Sequence, residues 1–275
     1  MNIKDVFYKT YFFNYQNAMR TIINKTKKII KYFLGRFGYR IHKVGPYSIF
    51  DFESFLYRYL SIHNNLVFIQ IGANDGILND PIYRFNLKNR EKVSGYVIEP
   101  LPDVYKKLVE NYKLCPNILA CNLAIHASES EMILYRVRPE KITGDKEFAR
   151  GIASFDKDHW RRSGLVSDEN DLERVKVNCI SFSGFIEINK INYIDLLLID
   201  TEGYDYQILM SIDFSRIKPK IIRFEHGIRD GVMTSKAFLI ICDYLNSKGY
   251  QIIAENYDAT AYLLDADDLM IGSHK

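Results

Sequence analysis

Residues 67–76 read Val-Phe-Ile-Gln-Ile-Gly-Ala-Asn-Asp-Gly, an apolar run that ends in glycines and small polar residues. Further along the chain a second apolar run, Gly95–Ile98, ends in Glu99 and Pro100. A buried strand that leads into a glycine turn allows the backbone to approach a ligand closely. An acid at the end of the next parallel strand is placed to bind the two hydroxyls of a ribose. The two runs together predict a nucleoside site at the carboxyl ends of neighbouring strands.

The spacing of the glycines narrows the choice of nucleoside. Gly72-x-Asn74-x-Gly76 differs from the Gly-x-Gly-x-x-Gly pattern of dinucleotide sites, so an NAD site is the weaker interpretation. The tighter turn suits an adenosine that carries no pyrophosphate. An ordinary strand-to-helix turn would explain the glycines alone, but it would leave Glu99 unexplained.

Length and composition indicate a globular protein with a substantial core. The chain has 275 residues, of which 47% are apolar and 26% charged, which fits one large α/β domain with an extension or two small domains. The four cysteines form no Cys-x-x-Cys pair and no metal-ligand spacing, as expected in a reducing compartment. We identify no signal peptide and no apolar run long enough for a membrane-spanning helix, so we expect a cytoplasmic protein.

The basic residues are concentrated at the N-terminus. Residues 1–43 contain ten Lys or Arg and one acid, a charge of +9, although the whole chain carries only +3. The rest of the chain is therefore mildly acidic, and we expect no nucleic-acid partner. Apolar residues at helical spacing lie among the lysines of residues 22–34. This pattern predicts either peripheral contact with an anionic membrane or packing of the apolar stripe on the rest of the protein.

Beyond residue 65 the pattern alternates between strands and helices, which predicts a mostly parallel sheet. Continuous apolar runs such as 196–199 are typical of strands that are covered on both faces. The predicted strands are 67–71, 95–98, 117–125, 192–199 and 220–224, followed by a hairpin of 250–254 with 261–264. Residues 126–190 have no clear period and are predicted to be largely irregular.

These motifs resemble the FkbM family of S-adenosylmethionine-dependent methyltransferases. The resemblance rests on Gln70-Ile71-Gly72-Ala73-Asn74-Asp75-Gly76, Val97-Ile98-Glu99-Pro100-Leu101-Pro102, Asn122-Leu123-Ala124-Ile125, Ile194 to Asp205, and Phe224-Glu225-His226. It implies an α/β class I methyltransferase domain, residues 65–275, with a Rossmann-like, mostly parallel seven-stranded sheet and a C-terminal antiparallel hairpin. Residues 1–64 lie outside it and are predicted to form a basic helical extension.

The resemblance also implies which residues bind the cofactor, S-adenosylmethionine. They are Gln70, Gly72, Asn74, Gly76, Glu99 and Asn122. The family usually has an acid where this chain has Gln70; an amide retains an acceptor oxygen but loses the charge. For Asp75, cofactor contact and simple turn formation both remain open.

Catalysis is predicted at the ends of two later strands. Methyl transfer to a hydroxyl requires in-line approach and removal of the hydroxyl proton, and Asp200, Glu202 and His226 are candidates for that work. Asp205 either joins them or caps the next helix. Asp200 and Glu225 also offer oxygen ligands for a possible Mg²⁺ ion.

The acceptor is expected to bind to the segment 126–190. Arg150–Phe155 and His159–Arg162 are candidates for holding a sugar or glycan, with Trp160 stacking on the sugar ring. A lipid-linked acceptor would agree with membrane contact through residues 1–43. We therefore predict an O-methyltransferase. The alternatives are an NAD(P)-dependent oxidoreductase and a non-catalytic protein that binds membrane surfaces.

Overall fold

The computed structural model describes residues 50–142, 149–162 and 168–263. The predicted membrane-binding segment, 1–43, lies outside these residues. The helices are α1 (Phe52–His63), α2 (Tyr83–Lys88), α3 (Pro102–Tyr112), α4 (His159–Arg162), α5 (Phe182–Ile188), α6 (Asp205–Ser211) and α7 (Ser235–Ser247). The strands are β1 (Leu66–Ile71), β2 (Val93–Ile98), β3 (Ile118–Cys121), β4 (Ala124–Ile125), β5 (Glu131–Val137), β6 (Leu172–Ile180), β7 (Leu196–Ile199), β8 (Ile221–Glu225), β9 (Gln251–Ala254) and β10 (Asp258–Tyr262).

The main sheet has seven strands in the order β3-β2-β1-β7-β8-β10-β9. β3, β2, β1, β7 and β8 are parallel to one another, whereas β10 is antiparallel to both β8 and β9. This confirms the predicted sheet and its C-terminal hairpin. The strand order reverses between β1 and β7, and in open α/β sheets such a switch point opens a crevice for ligands.

The segment predicted to be irregular instead contains a second sheet. The predicted strand 117–125 breaks at Asn122 and Leu123, and its last part, β4, pairs with β6 and not with the main sheet. β5 and β6 form an antiparallel pair, which gives the order β4-β6-β5. The prediction failed here because β5 contains a buried charged residue, Arg136, which disguises the apolar pattern.

Arg136 attaches this second sheet to the first. Its Nη1 donates to Asp103 Oδ1 at 2.7 Å in the first turn of α3, and its Nε donates to Glu173 Oε2 at 2.8 Å on β6. A buried guanidinium is tolerated only when it is paired in this way. The contact fixes the second sheet beside the loop between β2 and α3.

Helix α1 packs against the main sheet, as predicted. Leu56 and Leu60 are buried in the same core as Phe68 of β1. The Tyr59 hydroxyl donates to the buried carboxylate of Asp195, which also accepts from the backbone N–H of residue 67 at 2.7 Å. The domain boundary predicted at residue 65 stays a prediction. Within the described ranges, no helix combines the length and hydropathy needed to span a membrane.

The strands β1 and β7 come unusually close just beyond their ends. Asp200 N donates to Ile71 O at 3.0 Å, and Gly72 N donates to Ile98 O at 3.0 Å, so the end of β1 is held from both sides. Gly72 has a φ of +80°, and a Cβ added there would lie 1.7 Å from the carbonyl oxygen of Asp200. A side chain at residue 72 would therefore collide with backbone and distort the sheet before it reached any ligand.

We predict that Gly72→Ala destabilises the protein far more than a left-handed backbone alone would. Placing alanine at positive φ costs about 1–2 kcal/mol. Forcing an atom into the packed contact with Asp200 adds roughly 1–3 kcal/mol. Urea unfolding measures the sum as a change in the free energy of unfolding.

Gly231 provides a matched control for this measurement. Its φ is +74°, but an added Cβ would meet nothing within 4 Å. Gly231→Ala should therefore show only the cost of the backbone conformation. Equal losses in the two variants would mean that the contact between residues 72 and 200 is not a constraint.

Candidate functional site

A cleft opens at the carboxyl ends of β1, β2 and β7, at the point where the strand order reverses. Six of the ten predicted site residues line it. They are Gln70, Gly72, Asn74, Glu99, Asp200 and Glu202. The other four, Gly76, Asn122, Glu225 and His226, are not part of its lining. Residues far apart in sequence meet here because parallel strands end at one edge of the sheet.

The glycine turn shapes one wall of the cleft. Asn74 has a φ of +50°, and its backbone N–H donates to Glu99 Oε2 at 3.0 Å. Gly76 packs the turn closely against α3, since a Cβ there would lie 2.6 Å from the ring of Tyr112. Its predicted contact with the cofactor stays a prediction. Asp75 Oδ1 accepts from the backbone N–H groups of residues 77 and 78, which makes Asp75 a turn former.

Glu99 is held rigidly at the end of β2. Its Oε1 accepts from Leu101 N at 2.8 Å while its Oε2 accepts from Asn74 N. Burial raises the pKa of Glu99 to about 8, despite these two hydrogen bonds, which lower it. A carboxylate oxygen has two lone pairs, so each oxygen can still accept one more hydrogen bond from a ligand.

Asn122 supports the site without lining it. Its Nδ2 donates to the backbone carbonyls of Glu99 at 2.9 Å and Pro100 at 3.0 Å, which ties the β2–α3 loop to the end of β3. Leu123 and Ala124 line the cleft in its place. The chain turns towards the second sheet here, so the amide faces the loop.

Asp200 and Glu202 follow β7, on a loop that lies beside the glycine turn. Asp200 is accessible to solvent from the cleft but is enclosed by protein on its other sides. This enclosure raises its pKa well above the usual range, and the charges of Glu202 and Asp205 raise it further. Glu202 Oε2 lies 3.4 Å from Nε2 of the buried His159. The Glu202 backbone is left-handed, with a φ of +53°.

Asp205 has a structural role. It is fully buried, its Oδ2 accepts from the Thr201 hydroxyl at 2.6 Å, and its Oδ1 accepts from Glu225 N at 3.1 Å. These bonds fix the β7 loop to the end of β8. Among the residues that the structure describes, no group of three His, Cys, Asp or Glu side chains could hold a metal ion. The predicted Mg²⁺ site at Asp200 and Glu225 is therefore not supported.

His226, the predicted base, is not among the residues that line the cleft. Its Nε2 is 3.2 Å from Glu255 O, and its Nδ1 accepts from Ile228 N at 3.3 Å. With Nδ1 as acceptor, Nε2 carries the proton and donates to the carbonyl. The ring also packs on Phe238 of α7, with centroids 4.8 Å apart. Both ring nitrogens therefore hydrogen-bond backbone groups, and the role of His226 as a base stays a prediction.

The predicted acceptor segment contributes only in part. Gly151, Ile152, Ala153 and Phe155 line the cleft. Trp160, in contrast, is fully buried, and its Nε1 donates to the Tyr135 carbonyl at 2.9 Å. It cannot stack on a sugar. Arg161 also lies outside the cleft lining and pairs with Asp158 and Glu169.

The cleft is acidic, and of its described carboxyl groups only that of Asp80 was not predicted as a site residue. Four carboxyl groups line it, those of Asp80, Glu99, Asp200 and Glu202. The described lining residues include no Lys, Arg or His. Nothing in the sequence shows that the side chain of Asp80 reaches Gln70 of β1. Such a lining favours a cationic ligand.

Comparison with known proteins agrees with this geometry. The model of the methyltransferase FkbM domain matches residues 70–252. Comparison with curated protein sequences gives no match.

Several solved structures match the chain at low identity. One is a putative caffeoyl-CoA O-methyltransferase from Staphylococcus aureus, at 10% identity and a TM-score of 0.43, with 91% of this chain and 98% of that chain covered. Another is an O-methyltransferase from Bacillus cereus in complex with SAH, at 9% identity and a TM-score of 0.41, with 83% and 86% covered. The family match spans well over half of the sequence and includes the glycine turn, Glu99 and the acids after β7. The chain therefore belongs to the FkbM methyltransferase domain family, whose members have the fold of S-adenosylmethionine-dependent methyltransferases.

Proposed function

We propose that the protein transfers a methyl group from S-adenosylmethionine to a hydroxyl of a neutral sugar or glycan. The observation that carries this proposal is the charge of the cleft, which has four carboxyl groups and no basic side chain among its described lining residues. S-adenosylmethionine carries a sulfonium and an ammonium cation. The pyrophosphate of NAD(P) is anionic, and it would be repelled by these carboxyl groups.

The cofactor fits the wall built by β1 and β2. The glycine turn lets the ligand approach the backbone, and the free lone pairs of Glu99 are available to ribose hydroxyls. The apolar residues Leu123, Ala124 and Ile125 at the next strand end offer a surface for the adenine. When bound, S-adenosylmethionine supplies an already activated methyl group.

The remaining chemistry is removal of the acceptor's proton, and Asp200 is best suited to it. A general base works best when its pKa lies near the working pH. Asp200 has a raised pKa, and it opens onto the cleft beside the glycine turn. Glu202, held by His159, is placed to orient the acceptor hydroxyl by accepting a hydrogen bond.

The acceptor is proposed to be uncharged. Phosphate or carboxylate groups would meet the carboxyl groups of Asp200 and Glu202 with no described basic residue to offset them. Phe155 and the small residues Gly151 and Ala153 form the wall across from the strands. An aromatic ring beside oxygens that accept hydrogen bonds is a suitable surface for a sugar.

The first prediction concerns the cofactor. Titration calorimetry should show binding of S-adenosylmethionine and no binding of NAD⁺. Glu99→Gln should weaken binding by about 1–3 kcal/mol, because the amide replaces one oxygen that can accept from the ribose hydroxyls with a donor. Glu110→Gln, an exposed change on α3, is the control and should leave affinity unaltered. Binding of NAD⁺ in preference to S-adenosylmethionine would overturn the proposal.

The second prediction concerns pH. Methyl transfer requires deprotonated Asp200, so kcat/KM should fall as the pH decreases through its raised pKa. Glu202→Gln removes a negative charge that raises this pKa. The acidic limb of the profile should then move to lower pH by about one unit. Release of S-adenosylhomocysteine measures the rate, with the best acceptor from a panel of neutral and phosphorylated sugars.

Two comparisons make the pH result decisive. Glu110→Gln removes a charge far from the cleft and should leave the profile in place. Asp200→Asn should abolish turnover while preserving cofactor binding. A fully active Asp200→Asn enzyme would show that another group accepts the proton, and faster transfer to phosphorylated sugars would contradict a neutral acceptor.

We also propose that residues 1–43 bring the enzyme to an anionic membrane surface, near a lipid-linked acceptor. The support is their charge of +9 with apolar residues interleaved at helical spacing. Each basic residue near such a surface contributes about 1 kcal/mol to binding. Packing of the apolar stripe on the protein is the competing explanation.

Vesicle flotation distinguishes the two. The full chain should float with vesicles that contain phosphatidylserine and not with neutral vesicles, and salt should weaken the binding. Deletion of residues 1–43 should abolish flotation. If both proteins stay unbound, membrane attachment through this segment is wrong.

A further inference from the structure

The end of β1 carries a polar atom that nothing in the described part of the chain satisfies. Gln70 is 4% exposed and lines the cleft. Its Nε2 donates to Asp80 Oδ2 at 2.8 Å, but its Oε1 has no hydrogen-bond partner among the described residues. Burying an unpaired acceptor costs about 1–3 kcal/mol, so such an atom beside a cleft indicates a donor on the ligand.

Asp80 is oriented from two sides. Its Oδ1 accepts from the backbone N–H groups of Ile82 and Tyr83, at 2.8 Å and 2.5 Å, at the start of α2. Its Oδ2 faces Gln70, and Asp80 also lines the cleft. Burial raises the pKa of Asp80 to about 6, which still leaves it mostly ionised at neutral pH. A fixed carboxylate therefore lies next to the unsatisfied amide oxygen.

The other three carboxyl groups of the cleft have different positions. Each oxygen of Glu99 already accepts from a backbone N–H group at the end of β2. Asp200 and Glu202 lie at the end of β7, on the side proposed for the acceptor. Asp80 is the acid that adjoins the end of β1, where the motif has an amide.

We propose that Asp80 and Gln70 together bind the α-ammonium group of S-adenosylmethionine. Asp80 supplies the negative charge that Gln70 lacks, and Gln70 Oε1 supplies a second, neutral acceptor. An ammonium group has three donors, so it can satisfy both. This inference rests on the proposed function, since it assigns a part of that cofactor site.

In this arrangement the negative charge belongs to Asp80, whereas the position on the strand belongs to Gln70. An acid at residue 70 would present its charge directly from the strand, whereas here the charge comes from the next loop and the strand residue holds it in place. Exchanging the two side chains should therefore preserve the function. The pair Gln70→Asp and Asp80→Asn places the acid on β1 and the amide at the start of α2.

The experiment uses two ligands and three full-length proteins. The ligands are S-adenosylhomocysteine and its analogue with hydrogen in place of the α-amino group. The proteins are the wild type, Asp80→Asn, and the exchanged double variant. Asparagine retains an oxygen for the N–H groups of Ile82 and Tyr83, so α2 stays capped. Thermal unfolding confirms that each variant is folded.

We expect wild-type protein to bind S-adenosylhomocysteine about tenfold more tightly than the analogue, because the analogue lacks the charge-assisted contacts. Asp80→Asn should lose about tenfold in affinity for S-adenosylhomocysteine and none for the analogue. The double variant should recover most of the loss.

Three outcomes overturn the inference. Equal weakening of both ligands by Asp80→Asn would make Asp80 a purely structural residue. Unchanged affinity for S-adenosylhomocysteine would show that the ammonium binds elsewhere. Wild-type protein that binds neither ligand would instead refute the proposed cofactor, and with it this subsite.

Discussion

The site depends on the close approach of β1 and β7 at Gly72. A residue with a side chain cannot occupy this position, because its Cβ would overlap the carbonyl of Asp200. The contact brings the turn that begins at Gly72 beside the loop that begins at Asp200. The glycine turn and the loop after β7 are thus adjacent because two backbones touch.

The sequence predicts the strands and their ends correctly where one strong pattern determines the structure. Strands buried on both faces show continuous apolar runs, and the glycines and acids that follow them mark their carboxyl ends. Because parallel strands end at one edge, Glu99 and Asp200 could be placed together without any knowledge of their contacts. The antiparallel hairpin was also visible from its two short runs around residues 256–258. The local sequence pattern does not show that β10 lies between β8 and β9 in the sheet.

The failures come from side chains whose direction is set by distant partners. His226 follows a buried strand, as predicted, but a carbonyl at residue 255 and the ring of Phe238 draw it away from the cleft. The basic residue next to Trp160, Arg161, suggests an exposed position. The indole N–H of Trp160 instead donates to the Tyr135 carbonyl of the second sheet. That sheet was missed because Arg136 is buried through ion pairs. In each case the deciding contact joins residues far apart in sequence, which periodicity does not report.

The carboxyl groups of the cleft give the apoprotein a specific electrostatic character. Enclosure raises the pKa values of Glu99, Asp80 and Asp200, and the charges of Glu202 and Asp205 raise that of Asp200 further. A fold under selection for stability alone would pair such groups with cations or replace them. Their clustering at one edge of the sheet is explained when a ligand brings the missing positive charge. In the proposed function, the sulfonium and ammonium groups of S-adenosylmethionine would supply that charge at two separate points, relieve the repulsion and leave Asp200 to accept a proton from a neutral acceptor.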